Sequence, residues 1–424
     1  MAHRRRLASS GGGTTLNAAR RVQQEGDTAL AIEGGAPVRQ SLLPYGHQTI
    51  DEDDVEAVVA ALRSEWLTTG PAVPAFEKAL SEAVATEHAV TVSSGTAALH
   101  ASMHALEVGP GDEVIVPAMT FAATASAVMF EGATPVFADV DESTLLIDPV
   151  SVTSLVGPRT RAIIAVDYAG QPCDYASLRE IASARGIALV ADACHSLGAT
   201  YDGRPVGANA DMTAFSFHPI KPITTGEGGA VTTSSAELAA RVRSFRNHGM
   251  SSDFRQREHV GSWFYEIADL GYNYRLSEMQ CALGISQLRK LRVWVERRQA
   301  IAARYAASLA QLDAVRPLAI ESGRTHAFHL FVVEMEPGCW SVDRAAVFAA
   351  LRAEGIGVNV HYIPAHLHPL YRRRLGTGPG LCPIAEAAYG RVLTLPVFPA
   401  MTDADVDDVV FALRKVARRY AGGA

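Results

Sequence analysis

The chain has 424 residues, of which 48% are hydrophobic and 20% charged, with a formal net charge of −7. That balance supplies enough apolar surface to offset the entropy of ordering the chain, which excludes wholesale disorder, and the length accommodates two domains at roughly 100 to 200 residues each. The acidic balance argues against general nucleic-acid binding, which needs a basic face to displace counterions from phosphates, and no stretch approaches the ~18 consecutive apolar residues of a membrane span.

The opening MAHRRRLASSGGG is basic, but the residues after it have no apolar run of the kind an export signal needs. Residues 1–35 are therefore read as a flexible leader. From about Ile50 the pattern turns helical, with Val55, Val58, Val59 and Leu62 on one face behind a cluster of acids suited to a helix N-terminus. A second helix, carrying Phe76, Leu80 and Val84, follows the turn LTTGP. Short β-branched runs then alternate with helical ones: HAVTV, GTAALHASMHAL, DEVIVP, FAATASAVMF, TPVFADV, RAIIAVDYAG, SLREIASARG, ALVADA and TAFSF. Such alternation predicts βαβ units, and strands that are nearly all apolar belong in a sheet buried on both faces.

The expected fold class is α/β. Residues 36–290 form a large domain with a mixed, mostly parallel sheet between helices. The stretch SEMQCALGISQLRKLRVWVERRQAIAARYAASL bridges to a small C-terminal α+β domain, so that residues 291–424 hold the bridging helix and that domain. The small domain is predicted to contain the strand HLFVVEM, the helix AAVFAALRAEG, a strand around VNVHY and a terminal helix after MTDADVDDVV. The five cysteines are scattered without the paired spacing of a disulfide framework or a zinc site, which fits a soluble protein of the reducing cytoplasm. No metal site is expected; His366 and His368 are read as substrate-loop or surface residues.

The segment SFHPIKPITTGEGGAVTT, residues 216–233, places Lys221 between an apolar strand and a Gly-rich turn. Its amine can emerge at the carboxyl end of the sheet, where open α/β folds bind ligands, although an isolated loop lysine is by default a solvated charge. In ALVADACHSLGA, Asp192 ends a wholly apolar strand, and a buried carboxylate is costly without a partner. A pyridinium nitrogen is one such partner; capping of a following helix is the plainer one. In AVTVSSGTAALHA a strand passes through Ser94, Gly95 and Thr96 into a helix, so free amides and the helix dipole converge on a phosphate-sized spot. A serine N-cap explains the same residues. Phe121 opens a helix and suits either stacking on a planar cofactor or a place in the core.

In order and spacing these pieces resemble the DegT/DnrJ/EryC1/StrS family of sugar aminotransferases over roughly residues 35–420. The motifs are LTTGP (67–71), SSGTAAL (93–99), GDEVIVPAMTF (111–121), VDYAG (166–170), ADACHSLGA (191–199), SFHPIKPITTGEGG (216–229), FRNHGM (245–250) and GYNYRLSEMQCALG (271–284). The resemblance implies the aspartate aminotransferase type fold (fold type I) and pyridoxal phosphate (PLP) as cofactor. Carried over position by position, it implies that Lys221 forms the internal aldimine, Asp192 holds the pyridine nitrogen, Phe121 stacks on the ring, and His195 lies near the phenolic oxygen or ring. Gly95, Thr96 and Ser216 would bind the phosphate, and Asn273 would reach the phosphate of the neighbouring subunit's cofactor, implying a homodimer with shared active sites.

The SFHxxK form, with His218 three residues before Lys221, resembles members that aminate position 4 of a nucleotide-linked 4-keto-6-deoxysugar. The segments LPYGHQTI and VHYIPAHLHPLY are similar to transaminases of the pseudaminic acid and 4-amino-4-deoxyarabinose pathways. Tyr45, Leu67, Thr68, Thr69, His218, His361 and Tyr362 are then the substrate-side candidates, with Arg246, His248 and Arg275 ranked lower, for the nucleotide diphosphate. The implied reaction moves an amino group from an amino acid donor, glutamate by family likeness, to the keto sugar. The alternatives are an aminotransferase acting on a keto-cyclitol or related antibiotic precursor, and a PLP-binding regulator without turnover, for which an attached DNA-binding module is expected.

Overall fold

The computed structural model describes residues 29–252, 257 and 259–422. Its centre is a seven-stranded sheet made of β1 (His88–Val92), β2 (Glu113–Pro117), β3 (Thr134–Ala138), β4 (Thr160–Val166), β5 (Ala188–Asp192), β8 (Met212–Ser216) and β9 (Gly229–Thr233), in the order β1-β9-β8-β5-β4-β2-β3. A small hairpin, β6 (Thr200–Tyr201) and β7 (Arg204–Pro205), lies between β5 and β8 in the chain. The strands from β8 to β3 run parallel, and β9 is antiparallel to both its neighbours. Val114, Ile115, Val116, Ile163, Ile164, Leu189 and Val190 are fully buried, because helices cover both faces. Apolar residues on every position of a strand suit only such a sheet.

The helices start where side chains can satisfy the first free amides. Asp51 and Asp54 form a capping box at Glu52–Leu62, Ser94 caps Gly95–Ala105, and Ser277 and Gln280 form a capping box at Glu278–Leu309. The last of these has 32 residues, a strut of about 48 Å at 1.5 Å per residue. Its first half packs on the large domain and its second half supplies Ile301, Tyr305 and Leu309 to the small domain's core. The boundary read from the sequence at residue 290 therefore falls inside one continuous helix.

The small domain has a three-stranded antiparallel sheet, β10 (Val315–Pro317), β11 (Phe331–Met335) and β12 (Val392–Leu395), covered by helices Arg344–Ala353 and Asp403–Tyr420. The third strand is VLTL and not VNVHY: in the latter only Asn359 bridges to the sheet, opposite Thr394, and the following residues turn toward the large domain. The expected leader is also too long. Residues 1–28 lie outside the described residues, but Leu30 is fully buried in the small-domain core, and Ala31 and Val38 donate their backbone N–H groups to Glu354. Glu354, itself fully buried, also pairs with Lys415 Nζ at 2.9 Å, so one carboxylate ties the start of the described chain to its final helix.

Two surface expectations change. The apolar face of helix Glu52–Leu62 is only partly covered, with Val55 and Leu62 about half exposed. His366 is not a surface residue: it is fully buried and its Nε2 lies 2.9 Å from Glu386. Among the described residues, no helix is long and apolar enough to cross a membrane.

Candidate active site

The carboxyl ends of β4, β5 and β8, together with the turn after β1, open onto one cavity of about 390 Å³, within the roughly 300–1,000 Å³ of small-molecule sites. Lys221, Asp192, His195, Gly95, Thr96, Ser216 and Phe121 all line it, as do the substrate-side candidates Tyr45, His218, His361 and Tyr362. Their convergence follows from topology. Parallel strands end on one edge of the sheet, and the loops leaving that edge bring distant residues together.

Lys221 sits in the loop between β8 and β9. That loop is closed at its base by Thr225 N–H donating to Phe217 C=O, and a turn from Lys221 N–H to His218 C=O presents the side chain to the cavity. Burial pushes the Lys221 amine below its usual range, an effect only partly offset by Cys194 and Asp192. Among the described residues its Nζ has one hydrogen-bond partner, Nε2 of His329 at 3.4 Å.

Asp192 is 6% exposed. One of its oxygens accepts from Thr124 Oγ1 at 2.8 Å and the other from the Cys194 N–H at 3.3 Å. It closes a local turn and caps no helix, and its remaining lone pairs face the cavity that Lys221 also lines. The helix Gly95–Ala105 points its N-terminus at the same space, with Ser94 Oγ engaged by Ala97 N–H and the first amides left for a ligand. A Cβ at Gly95 would stand 2.8 Å from Ser216 Cβ and 3.1 Å from Cys194 Sγ, so a side chain there would fill the cradle. The serine N-cap and the anion cradle are thus the same structure.

Three imidazoles form one wall. His195 and His329 have ring centroids 4.4 Å apart, and the His195 Nε2 lies 3.1 Å from Tyr362 Oη. His361 packs against Tyr45 and Tyr362 and bonds Thr394 Oγ1 through Nδ1. Burial, reinforced by the nearby Lys221 charge, pushes His195 and His329 well below the usual histidine range and His361 down to about 4. All three are neutral near pH 7. Phe121 is 59% exposed at the mouth, its ring 6.0 Å from that of Tyr362, and so is no core residue.

Leu67, Thr68, Thr69 and Asn273, with the lower-ranked Arg246, His248 and Arg275, lie elsewhere within this chain. Leu67 and Thr68 are exposed, their segment held to the start of the long helix by the Glu278 N–H bond to Leu67 C=O. Thr69 lines a second cavity, of about 420 Å³, with Arg243, Arg246 and Arg275. Asn273 is exposed and bridges Asn247 on the rim of that cavity. Arg246 is spoken for by Glu77 at 2.5 Å. Sequence reasoning missed Thr124, Cys194 and His329. Thr124 and Thr120 bond each other at 2.7 Å, and their spacing of four at a helix start was the available signal; His329, at the entry of an apolar strand, offered none.

The cavity fits PLP on its own observations: a helix N-terminus that only glycine leaves open, a buried carboxylate with unspent acceptors, and an uncharged-leaning amine, all in one space. Residues 48–414 match the model of the DegT/DnrJ/EryC1/StrS aminotransferase family. The chain belongs to that family. It is 41% identical over 383 residues to the spore coat polysaccharide biosynthesis protein SpsC of Bacillus subtilis, covering 90% of this chain and 98% of that one. Among solved structures it is similar to the PMP-form of the putative sugar aminotransferase Spr1654 of Streptococcus pneumoniae, with TM-score 0.84, 34% identity, and 89% and 99% of the two chains covered. It is also similar to PseC of Helicobacter pylori, an aminotransferase involved in the biosynthesis of pseudoaminic acid, with TM-score 0.83, 31% identity, and 89% and 100% covered. The fold is that of the PLP-dependent fold type I aminotransferases, and the protein is a PLP-dependent sugar aminotransferase.

Proposed function

We propose that this enzyme moves an amino group from an amino acid, glutamate by family likeness, to position 4 of a nucleotide-linked 4-keto-6-deoxysugar, with Lys221 as the cofactor-bearing and proton-moving residue. The observation that carries this reading is the shared cavity of Lys221, Asp192 and the Gly95 helix terminus. Gly95, Thr96 and Ser216 would hold the phosphate, and Phe121 and His195 would contact the ring. PLP, when bound, supplies an electron-withdrawing ring that accepts the charge left when a neighbouring carbon loses a proton.

Asp192 keeps a proton on the ring nitrogen, and Thr124 holds the carboxylate in place for it. The Lys221 amine takes the proton from the donor's α-carbon in the first half-reaction and delivers one to the sugar carbon in the second. It can do so because burial disfavours its charged form. Tyr45, His218, His361 and Tyr362 line the same cavity and are assigned to the sugar.

Leu67, Thr68, Thr69 and Asn273 lie outside that cavity in their own chain, so the roles that the resemblance implies for them require a subunit boundary. This supports a homodimer with shared sites. The exposed run of Trp263, Phe264, Ile267 and Leu270 is apolar surface that a second copy would cover. A cytoplasmic location suits both a nucleotide-sugar substrate and five free cysteines.

The test is a coupled assay of purified protein with PLP, glutamate and a panel of nucleotide-linked 4-keto- and 3-keto-6-deoxysugars, with an inosose as the cyclitol control. Transfer to a 4-keto sugar with ping-pong kinetics is expected, falling by about 10²- to 10⁴-fold in Lys221→Ala. Full activity in that variant, or turnover of the inosose alone, would overturn the reading.

A further inference from the structure

His329 lies outside the motifs of the site, yet it is the residue that meets the reactive amine. Its backbone is clamped on both sides. Phe328 C=O accepts from the buried guanidinium of Arg298 at 3.2 Å, and Leu330 N–H donates to Ala169 C=O at 3.0 Å. Gly170, at φ +113°, lets the loop after β4 approach: a Cβ there would stand 3.0 Å from Phe328 N and 3.1 Å from His329 N. Phe328 itself is held at φ +46°, a conformation that non-glycine residues avoid unless the surroundings enforce it. The ring is 5% exposed, rests on His195, and aims Nε2 at Lys221 Nζ, while its Nδ1 is buried with no hydrogen-bond partner.

We propose that His329 is the positioning residue of this reaction, holding the Lys221 amine over the cavity whenever that amine is free. This rests on the aminotransferase reading of the cavity. The donors and acceptors of the two groups set a condition on their pairing. An ammonium at Lys221 needs an acceptor, and His329 Nε2 accepts only when the ring proton is on Nδ1, where it is buried and unpaired. An uncharged amine can instead accept from Nε2–H and leave Nδ1 as a bare acceptor, the cheaper arrangement. His329 therefore holds the amine in the form able to take a proton. The other groups facing Lys221 are Asp192 and Cys194, which favour its charge, and His195 and His361, which burial and the Lys221 charge keep neutral. Arg298, behind His329, discourages a proton on that ring.

The experiment compares wild type, His329→Gln, His329→Asn and His329→Phe as full-length protein. The Lys221 amine is titrated in cofactor-free protein by isotope-coded acetylation read by mass spectrometry, with the exposed Lys78 as internal reference, and kcat and KM are measured on the PLP-loaded enzyme. The Gln and Asn carbonyls accept from an ammonium without stranding a proton, so the Lys221 midpoint should rise by about one pH unit in both. In His329→Phe the midpoint should stay at or below wild type while kcat falls about a hundredfold with little change in KM, the cost of a misplaced group. His329→Gln should recover part of kcat, with the acid limb of its pH profile moved to higher pH. An unmoved Lys221 midpoint in Gln and Asn, or wild-type kcat in His329→Phe, overturns the proposal; if the Phe variant does not fold, the other two decide it. Were wild type to show no amino transfer, the aminotransferase reading would fail, while the acetylation midpoints would still decide whether His329 governs the Lys221 amine.

Discussion

Replacing Gly95 by alanine tests the phosphate cradle, because two opposing magnitudes can be set against each other. Gly95 opens the helix Gly95–Ala105, and in a helix interior alanine is favoured over glycine by about 0.8–1 kcal/mol, an upper limit at this first position. Its φ lies outside the left-handed region, so no backbone strain opposes the change. Against this, the new methyl would stand 2.8 Å from Ser216 Cβ, 3.1 Å from Cys194 Sγ and 3.2 Å from Ser216 Oγ. Overpacking of that kind costs about 1–3 kcal/mol. The net loss of stability in cofactor-free protein is thus small, about 0–2 kcal/mol by difference. The loss of binding should be larger. The methyl displaces the anion from the helix amides, and hydrogen bonds to a charged group are worth about 1.5–3 kcal/mol each, so losing one weakens PLP binding about 10- to 150-fold. Titration of cofactor-free protein with PLP, followed by absorbance, measures this directly, and melting curves with and without PLP separate the two effects. A Gly95→Ala protein that binds PLP within twofold of wild type, with the same ligand-induced rise in melting temperature, would refute the placement of the phosphate.

Two further outcomes are expected. Asp192→Asn should keep PLP bound through its other contacts but lower kcat by about 10²-fold or more, because an amide cannot keep the ring nitrogen protonated; wild-type kcat would show that the carboxylate serves only its turn. Asp167 gives a pH dependence of stability. Burial pushes this carboxyl up to about 6 despite hydrogen bonds from Ser196, Tyr175 and the Cys173 N–H. Because the folded value lies above the unfolded one, its contribution is complete below about 3.8 and is lost as pH rises through 6, about 3 kcal/mol across that window. Urea unfolding at a series of pH values should show that slope in wild type and not in Asp167→Asn.

The sheet was legible because burial on both faces leaves strands such as AIIAV and ALVAD almost wholly apolar, a pattern that needs no partner to be recognised. That Lys221, Asp192 and Gly95 share one cavity was legible chiefly through the order and spacing of the motifs around them, since a loop lysine, a strand-end acid and a Ser-capped glycine each have a plainer local reading. VNVHY misled because its alternation is that of a strand, whereas the pairing stops after the single Asn359–Thr394 bridge and the His361 ring bonds Thr394 Oγ1 through its side chain. His366 was misplaced because its partner, Glu386, lies 20 residues further on. His329 could not be found locally, since its role depends on Gly170, Arg298 and Lys221, each brought to it only by the folded chain.

The knot at Glu354 has a consequence for biosynthesis. A ribosome makes Leu30, Ala31 and Val38 early, but their acceptor and the helix that carries Lys415 emerge only at the end. The seven-stranded sheet is complete by Thr233 and can assemble while the remainder is still being translated. The segment around Leu30 can find its partners only once Glu354 and Lys415 have been made, so closure of the small domain joins an early stretch of the polypeptide to a much later one.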